Sequence, residues 1–239
     1  MKIVSFKICP FVQRVTALLE LKGAPYELEY IDLSNKPDWF TKASPNGQVP
    51  ILMTDDGQTL FESDAIVEYL DEVVGTPILS RDPAKKAQER AWSYLASKHY
   101  LVQCSAQRSP DQATLAERSA KLDTAFTKIQ TQLGDDPFVG GQSMGMIDIT
   151  WTTLLHRTEI IARRSGCDFL AEFPALKSWR DAVMATGIPQ ASVADDFEEK
   201  FSAFYLADTT YLGQLATARN GSSCDGDCEC TVDDLDCCA

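Results

Sequence analysis

Apolar and polar positions change period once along this chain, and the change divides it. Over about the first 75 residues, short apolar runs alternate with turn residues. Lys2–Ile8 reads as a strand, and Pro10 then opens a helix carrying Val15, Leu18, Leu19 and Lys22 at helical spacing, stopped by Gly23. Tyr26–Ile31 alternates as a second strand. Asp32–Gln48, with Pro37, Pro45 and Asn46-Gly47, reads as a loop. Val49–Met53 and Thr59–Phe61 form third and fourth strands around the Asp55-Asp56-Gly57 turn, and a helix from Ser63 to about Val74 buries Ile66, Val67 and Leu70.

Beyond a linker at 76–82 the strand signals vanish. Asp82-Pro83 starts a helix that runs to about Gln107, and Ser109-Pro110-Asp111-Gln112 reads as a capping box for a second. Leu115, Leu122, Phe126, Ile129 and Leu133 stripe that helix as far as Gly134. Gly145-Met146-Ile147-Asp148 opens a third helix and Phe173-Pro174 a fourth; Pro189 begins a last stretch with Val193, Phe197, Phe201 and Phe204. The order β-α-β then β-β-α is that of a thioredoxin-like unit. The expected fold is therefore a thioredoxin-like α/β N-terminal domain at 1–75, an all-α C-terminal domain at 83–220 and an acidic cysteine-rich tail at 221–239.

Composition narrows the partners. The 239 residues carry a formal net charge of −13, which argues against nucleic acid and anionic membranes. No apolar run is long enough to span a bilayer, and Lys7, Gln13 and Arg14 interrupt the N-terminal apolar segment, so it does not read as a signal peptide. A cytoplasmic location and reduced cysteines are expected. Cys104 and Cys167 read as packing residues, and His156 and Arg157 as structural.

The candidate chemistry begins at Cys9. Pro10 at the first helical turn puts Cys9 at a helix N-terminus, where unpaired N–H groups and the positive end of the dipole favour a thiolate. On this stretch alone a reactive monothiol and a buried, inert cysteine both stand.

Four motifs in register then extend the reading: Cys9-Pro10-Phe11, Asn35-Lys36-Pro37-Asp38-Trp39-Phe40, Asn46-Gly47-Gln48-Val49-Pro50 and Phe61-Glu62-Ser63-Asp64-Ala65-Ile66. Over about residues 2–205 the chain resembles the cytosolic glutathione transferases, in particular their cysteine-containing omega-like branch. The resemblance implies glutathione as cosubstrate, with Cys9 forming a mixed disulfide to it. It implies Phe11 beside the thiol, Leu33 and Lys36 along the peptide, and Val49 paired with the cysteinyl backbone through a cis Pro50. Glu62 and Ser63 would hold the γ-glutamyl end. A serine hydroxyl and free N–H groups at a helix start suit a carboxylate, and Glu62 suits an amine; an ordinary cap and a solvated charge are the plainer readings. Two positions depart from the pattern. Val12 leaves no Cys-x-x-Cys pair, so a monothiol cycle is expected, and Gly145 replaces the usual Ser or Thr of a capping box.

The resemblance further implies a homodimer and a thiol transferase or reductase acting on glutathionylated compounds, dehydroascorbate or glutathione conjugates, with no metal needed for catalysis. Trp92, His99, Tyr100 and Phe204 are candidates for the second-substrate pocket by location. Cys224, Cys228, Cys230, Cys237 and Cys238 lie among six carboxylates in the last nineteen residues, a spacing that suits a soft metal ion better than a zinc ribbon. A passive acidic tail and redox coupling to Cys9 are the other readings of that segment. Two rival functions follow: a non-catalytic scaffold with the same fold, and a metal-binding protein that merely presents the tail.

Overall fold

A computed structural model describes residues 1–221. The N-terminal domain runs β1 (Lys2–Ser5), α1 (Pro10–Lys22), β2 (Glu27–Tyr30), α2 (Asp38–Ala43), β3 (Ile51–Met53), β4 (Thr59–Phe61) and α3 (Ser63–Val73). Its four-stranded sheet has the order β2-β1-β3-β4, with β1 parallel to β2 and antiparallel to β3, and β4 antiparallel to β3. Strand alternation sorts the core. Ile3 and its opposite Leu52 join Val15, Leu18, Leu19, Ile66 and Leu70 of α1 and α3, whereas Val4 and its opposite Ile51 pack with Ile31 and Phe40 on the reverse face.

The structure corrects several expected boundaries. The first strand ends at Ser5 rather than Ile8, because the chain turns with the Cys9 N–H on the Phe6 carbonyl at 3.1 Å. The second is shorter by a residue at each end. The third begins at Ile51, after the cis Val49–Pro50 bond, since a proline has no N–H to give the ladder. The expected loop Asp32–Gln48 contains α2, whose Phe40 covers the reverse face of the sheet. The linker after α3 is pinned: Asp71 accepts the N–H groups of Ile78 and Leu79 at 2.8 and 3.1 Å and pairs with Lys22 at 3.0 Å.

Among the described residues the named elements of the second domain are all helices: α4 (Pro83–Gln107), α5 (Gln112–Gln130), α6 (Met146–Ser165), α7 (Pro174–Ala185), α8 (Ile188–Ala191), α9 (Phe197–Tyr205) and α10 (Tyr211–Gly221). The cap of α5 is Asp111, which accepts the Thr114 N–H at 2.7 Å, rather than Ser109, and α5 stops at Gln130, short of Gly134. The last expected stretch breaks into α8 and α9 and is followed by α10. In α9 the buried stripe is Phe197, Phe201 and Tyr205, at i, i+4, i+8, so Phe204 falls outside it and is 46% exposed.

Helix α6 is the spine of this domain, buried without a break from Met146 to Thr158. Its threonine hydroxyls return to its own carbonyls, Thr150 to Met146 at 3.0 Å and Thr152 to Asp148 at 2.8 Å, so burial leaves them paired. Asp148, fully buried, accepts the Gly145 and Val139 N–H groups and the Trp179 indole N–H at 2.8, 2.9 and 2.7 Å. With a glycine N-cap, this carboxylate alone closes the capping box. Asp148→Ala strands three donors, and urea unfolding is expected to show a loss of stability on the order of 3 kcal/mol.

Candidate active site

Cys9 is the N-cap of α1, in extended conformation, with Pro10 at the first helical position. Burial is nearly complete, at 2% exposure. The Ser5 hydroxyl and the N–H groups of Phe11 and Val12 face its sulfur and favour the ionised form, as does the charge of Arg157. Burial nevertheless outweighs them and pushes the thiol up from its ordinary value. The expectation of a depressed thiol at the helix start is therefore corrected: the stabilising groups are in place, but in a site removed from water.

Near the thiol lie Gln13 and Arg14, which in sequence interrupt the N-terminal apolar segment, and Arg157 of α6, which reads as structural. Gln13, Arg14 and Arg157 are fully buried. One Arg157 Nη donates to Gln13 Oε1 and to the Thr153 carbonyl at 3.1 Å, and its other Nη reaches the Ile8 carbonyl at 3.4 Å. With Gln13 Oε1 so occupied, Gln13 Nε2 donates to His156 Nδ1 at 2.7 Å, which makes Nδ1 the unprotonated ring nitrogen. Arg14 turns the other way, donating to Ser63 Oγ at 2.6 Å and to Asp64 at 2.5 Å.

The second group of predicted residues converges on the loop before β3. Lys36 Nζ donates to the Gly47 carbonyl at 2.7 Å, and Asn46 Nδ2 to Glu62 Oε1 at 2.9 Å. Val49 lies between these points and outside the ladder that begins at Ile51. Glu62 has φ 65°, a left-handed conformation rare for glutamate and common at ligand sites. Ser63 opens α3, and because its oxygen accepts from Arg14 its own proton is left to be donated outward, a geometry that fits a carboxylate. Leu33 is exposed and is not brought into this group by a hydrogen bond.

Comparisons with known proteins decide the family. The family model "Glutathione S-transferase, N-terminal domain" matches residues 8–73 and "Glutathione S-transferase, C-terminal domain" matches residues 112–182. Glutathione S-transferase omega-1 of Sus scrofa is 32% identical over 186 residues, covering 77% of this chain and 76% of that protein. This chain belongs to the cytosolic glutathione transferase superfamily and is omega-like. A probable glutathione S-transferase DHAR1, cytosolic, from Oryza sativa subsp. japonica is 33% identical over 153 residues, covering 64% of this chain and 68% of its own. The fold agrees: a rice GST1 (OsGSTU1) structure in complex with glutathione superposes with TM-score 0.73 at 21% identity, covering 91% of this chain and 96% of that one.

In this glutathione transferase the four candidates for a second-substrate pocket part company. Tyr100 is buried, its ring edge-on to Phe11 at 5.3 Å and its hydroxyl donating to the Thr150 carbonyl at 2.5 Å. Phe204 lines a cleft of about 360 Å³ with Phe6, Lys7, Ile8, Lys200 and Ala203, beside the turn that carries Cys9. Trp92 instead lines a separate cavity of about 720 Å³ with Val139, Met144 and Gly145. His99 Nδ1 is bonded to the Leu95 carbonyl of its own helix at 2.7 Å. The five tail cysteines lie outside the described residues. Among the described residues, no group of His, Cys, Asp and Glu is arranged to hold a metal ion.

His156, buried beside Arg157, has its pKa lowered to about 3 by desolvation and then by that charge. Between pH 6.5 and 3 the unfolded chain binds a proton there that the native chain does not, so stability falls as pH falls, by up to about 1.4 kcal/mol per unit. His156→Gln removes this term. Its urea midpoint is expected to decline less steeply than that of wild type between about pH 6 and 4.

Proposed function

We propose that this protein is a glutathione-dependent thiol transferase and reductase working through a mixed disulfide on Cys9. The observation that carries the reading is the thiol at the start of α1, joined through Arg14 to the Ser63 carboxylate site. The omega-1 relative and the DHAR1 relative support glutathione-dependent chemistry of this kind. The Cys9 thiolate attacks the glutathione sulfur of a mixed disulfide, forming the Cys9–glutathione bond and releasing the substrate thiolate, which takes up a proton. A glutathione thiolate then attacks the glutathione sulfur of that adduct, releasing oxidised glutathione and regenerating Cys9. Val12 supports release by free glutathione over an internal dithiol.

Ser63 and Glu62 hold the γ-glutamyl carboxylate and amine, Val49 pairs with the cysteinyl backbone like an added strand, and Phe11, Leu33, Lys36 and Pro50 shape the rest. The cleft at Phe204 admits the second substrate. The functional unit is a homodimer in the cytoplasm; among the described residues no helix is long and apolar enough to cross a membrane.

Peptide mapping of the full-length chain after treatment with oxidised glutathione tests the mechanism. One adduct is expected on the Cys9 peptide, reversed by reduced glutathione and absent from Cys9→Ser; a Cys9 peptide that never carries the adduct would refute the reading. Ser63→Ala removes one charge-assisted hydrogen bond and is expected to raise the KM for glutathione about tenfold or more, while the rate at which iodoacetamide alkylates Cys9 stays as in wild type.

A further inference from the structure

We propose that Arg157 supplies the positive charge against which Cys9 ionises, acting through Cys9 as a positioning residue. Arg157 is fully buried, and among the described residues no carboxylate pairs with it. Its hydrogen bonds end on neutral oxygens, those of Gln13, Thr153 and Ile8, and its Nε has no partner among the described residues. The rings of Phe197 and Phe201 also lie against it, with centroids 5.4 and 6.0 Å from the guanidinium carbon. A guanidinium stays protonated under all working conditions. An uncompensated buried charge is costly, so the arrangement favours any neighbouring group that becomes negative.

The ionisable groups facing Arg157 are Cys104 and Tyr100 of α4, Tyr205 of α9, and Cys9, with His156 beside it on α6. Burial raises the hydroxyls of Tyr100 and Tyr205 further above neutrality, so both stay uncharged. His156 is neutral and adds no charge. Two thiols, Cys104 and Cys9, remain, and of these Cys9 is on the segment whose backbone is hydrogen-bonded to Arg157 and to its helix. The guanidinium touches the carbonyl of Ile8, one residue before it, and Thr153, one turn before Arg157 on α6, donates through Oγ1 to the Pro10 carbonyl at 3.3 Å. Gln13 is the residue that keeps the charge available. It satisfies the guanidinium with a neutral oxygen, where an isosteric glutamate would neutralise it.

This inference rests on Cys9 being the nucleophile, and its test needs no glutathione. The measurement is the pH dependence of iodoacetamide alkylation, resolved by peptide so that Cys9 and Cys104 are followed separately. In Gln13→Glu the hydrogen bond to Arg157 is kept while its charge is cancelled, and the donor to His156 Nδ1 is lost, a loss that Gln13→Met reproduces without adding charge and so controls for. The Cys9 midpoint is expected to rise by about one pH unit, a roughly tenfold slower alkylation below the midpoint. Arg157→Met should raise it likewise, and Arg157→Lys should keep it near wild type while lowering thermal stability. Should Arg157→Met fail to fold, Gln13→Glu and Arg157→Lys still decide. A wild-type Cys9 midpoint in folded Gln13→Glu would overturn the proposal, as would a shift confined to Cys104. Loss of the glutathione adduct with these midpoints as expected would instead count against the mechanism and leave the charge relation standing.

Discussion

Everything at the site depends on how α1 is held. A helix so deeply buried needs something to fix its rotation and height, because apolar contacts alone are non-directional. Three buried polar side chains do this. Gln13 is bonded to Arg157 and His156 of α6, Arg14 to Ser63 and Asp64 of α3, and Thr16 Oγ1 to the Ser192 carbonyl at 2.6 Å. Lys22 closes the far end on the carbonyls of Val74 and Thr76, both at 2.8 Å. Each bond is in low dielectric, where a missed partner is expensive, so α1 has one seat between the two domains. Cys9 sits at the end of the helix so fixed.

That seat also explains the balance around the thiol. Water is excluded, which raises the cost of a thiolate, and the same exclusion strengthens each group aimed at it. The Ser5 hydroxyl is instructive: it is fully buried, finds no other hydrogen-bond partner among the described residues, and faces the sulfur. Donors that stay in place whether or not the sulfur is charged cost no reorganisation when it ionises.

The division into an α/β domain and a helical domain was legible from the change of apolar period, and the Cys9-Pro10 start of α1 from one proline. Family resemblance named the Lys36, Val49 and Glu62-Ser63 positions, which the structure gathers around the loop before β3. Gln13, Arg14 and Arg157 were not legible as site residues. A polar residue in a helix usually marks the solvated face, and one-dimensional pattern cannot tell that face from a second buried interface. Arg157 read as structural, and the structure finds it buried and hydrogen-bonded to Gln13, Thr153 and Ile8; what its charge faces is visible only in the packing of α6 on α1. Helix α2 was hidden for the converse reason: its one buried anchor, Phe40, sits among Pro, Asp and Asn signals that read as loop.

The central claim is that Cys9, rather than a thiol elsewhere in the chain, forms the bond to glutathione while α3 holds the other end of the tripeptide. Diffraction from crystals of the full-length protein soaked with oxidised glutathione would test it most directly. Continuous density from Cys9 Sγ into glutathione, with the γ-glutamyl carboxylate at Ser63 and the cysteinyl backbone alongside Val49, is the predicted result. Glutathione bound there with Cys9 Sγ unconnected, or joined to Cys104 instead, would contradict it.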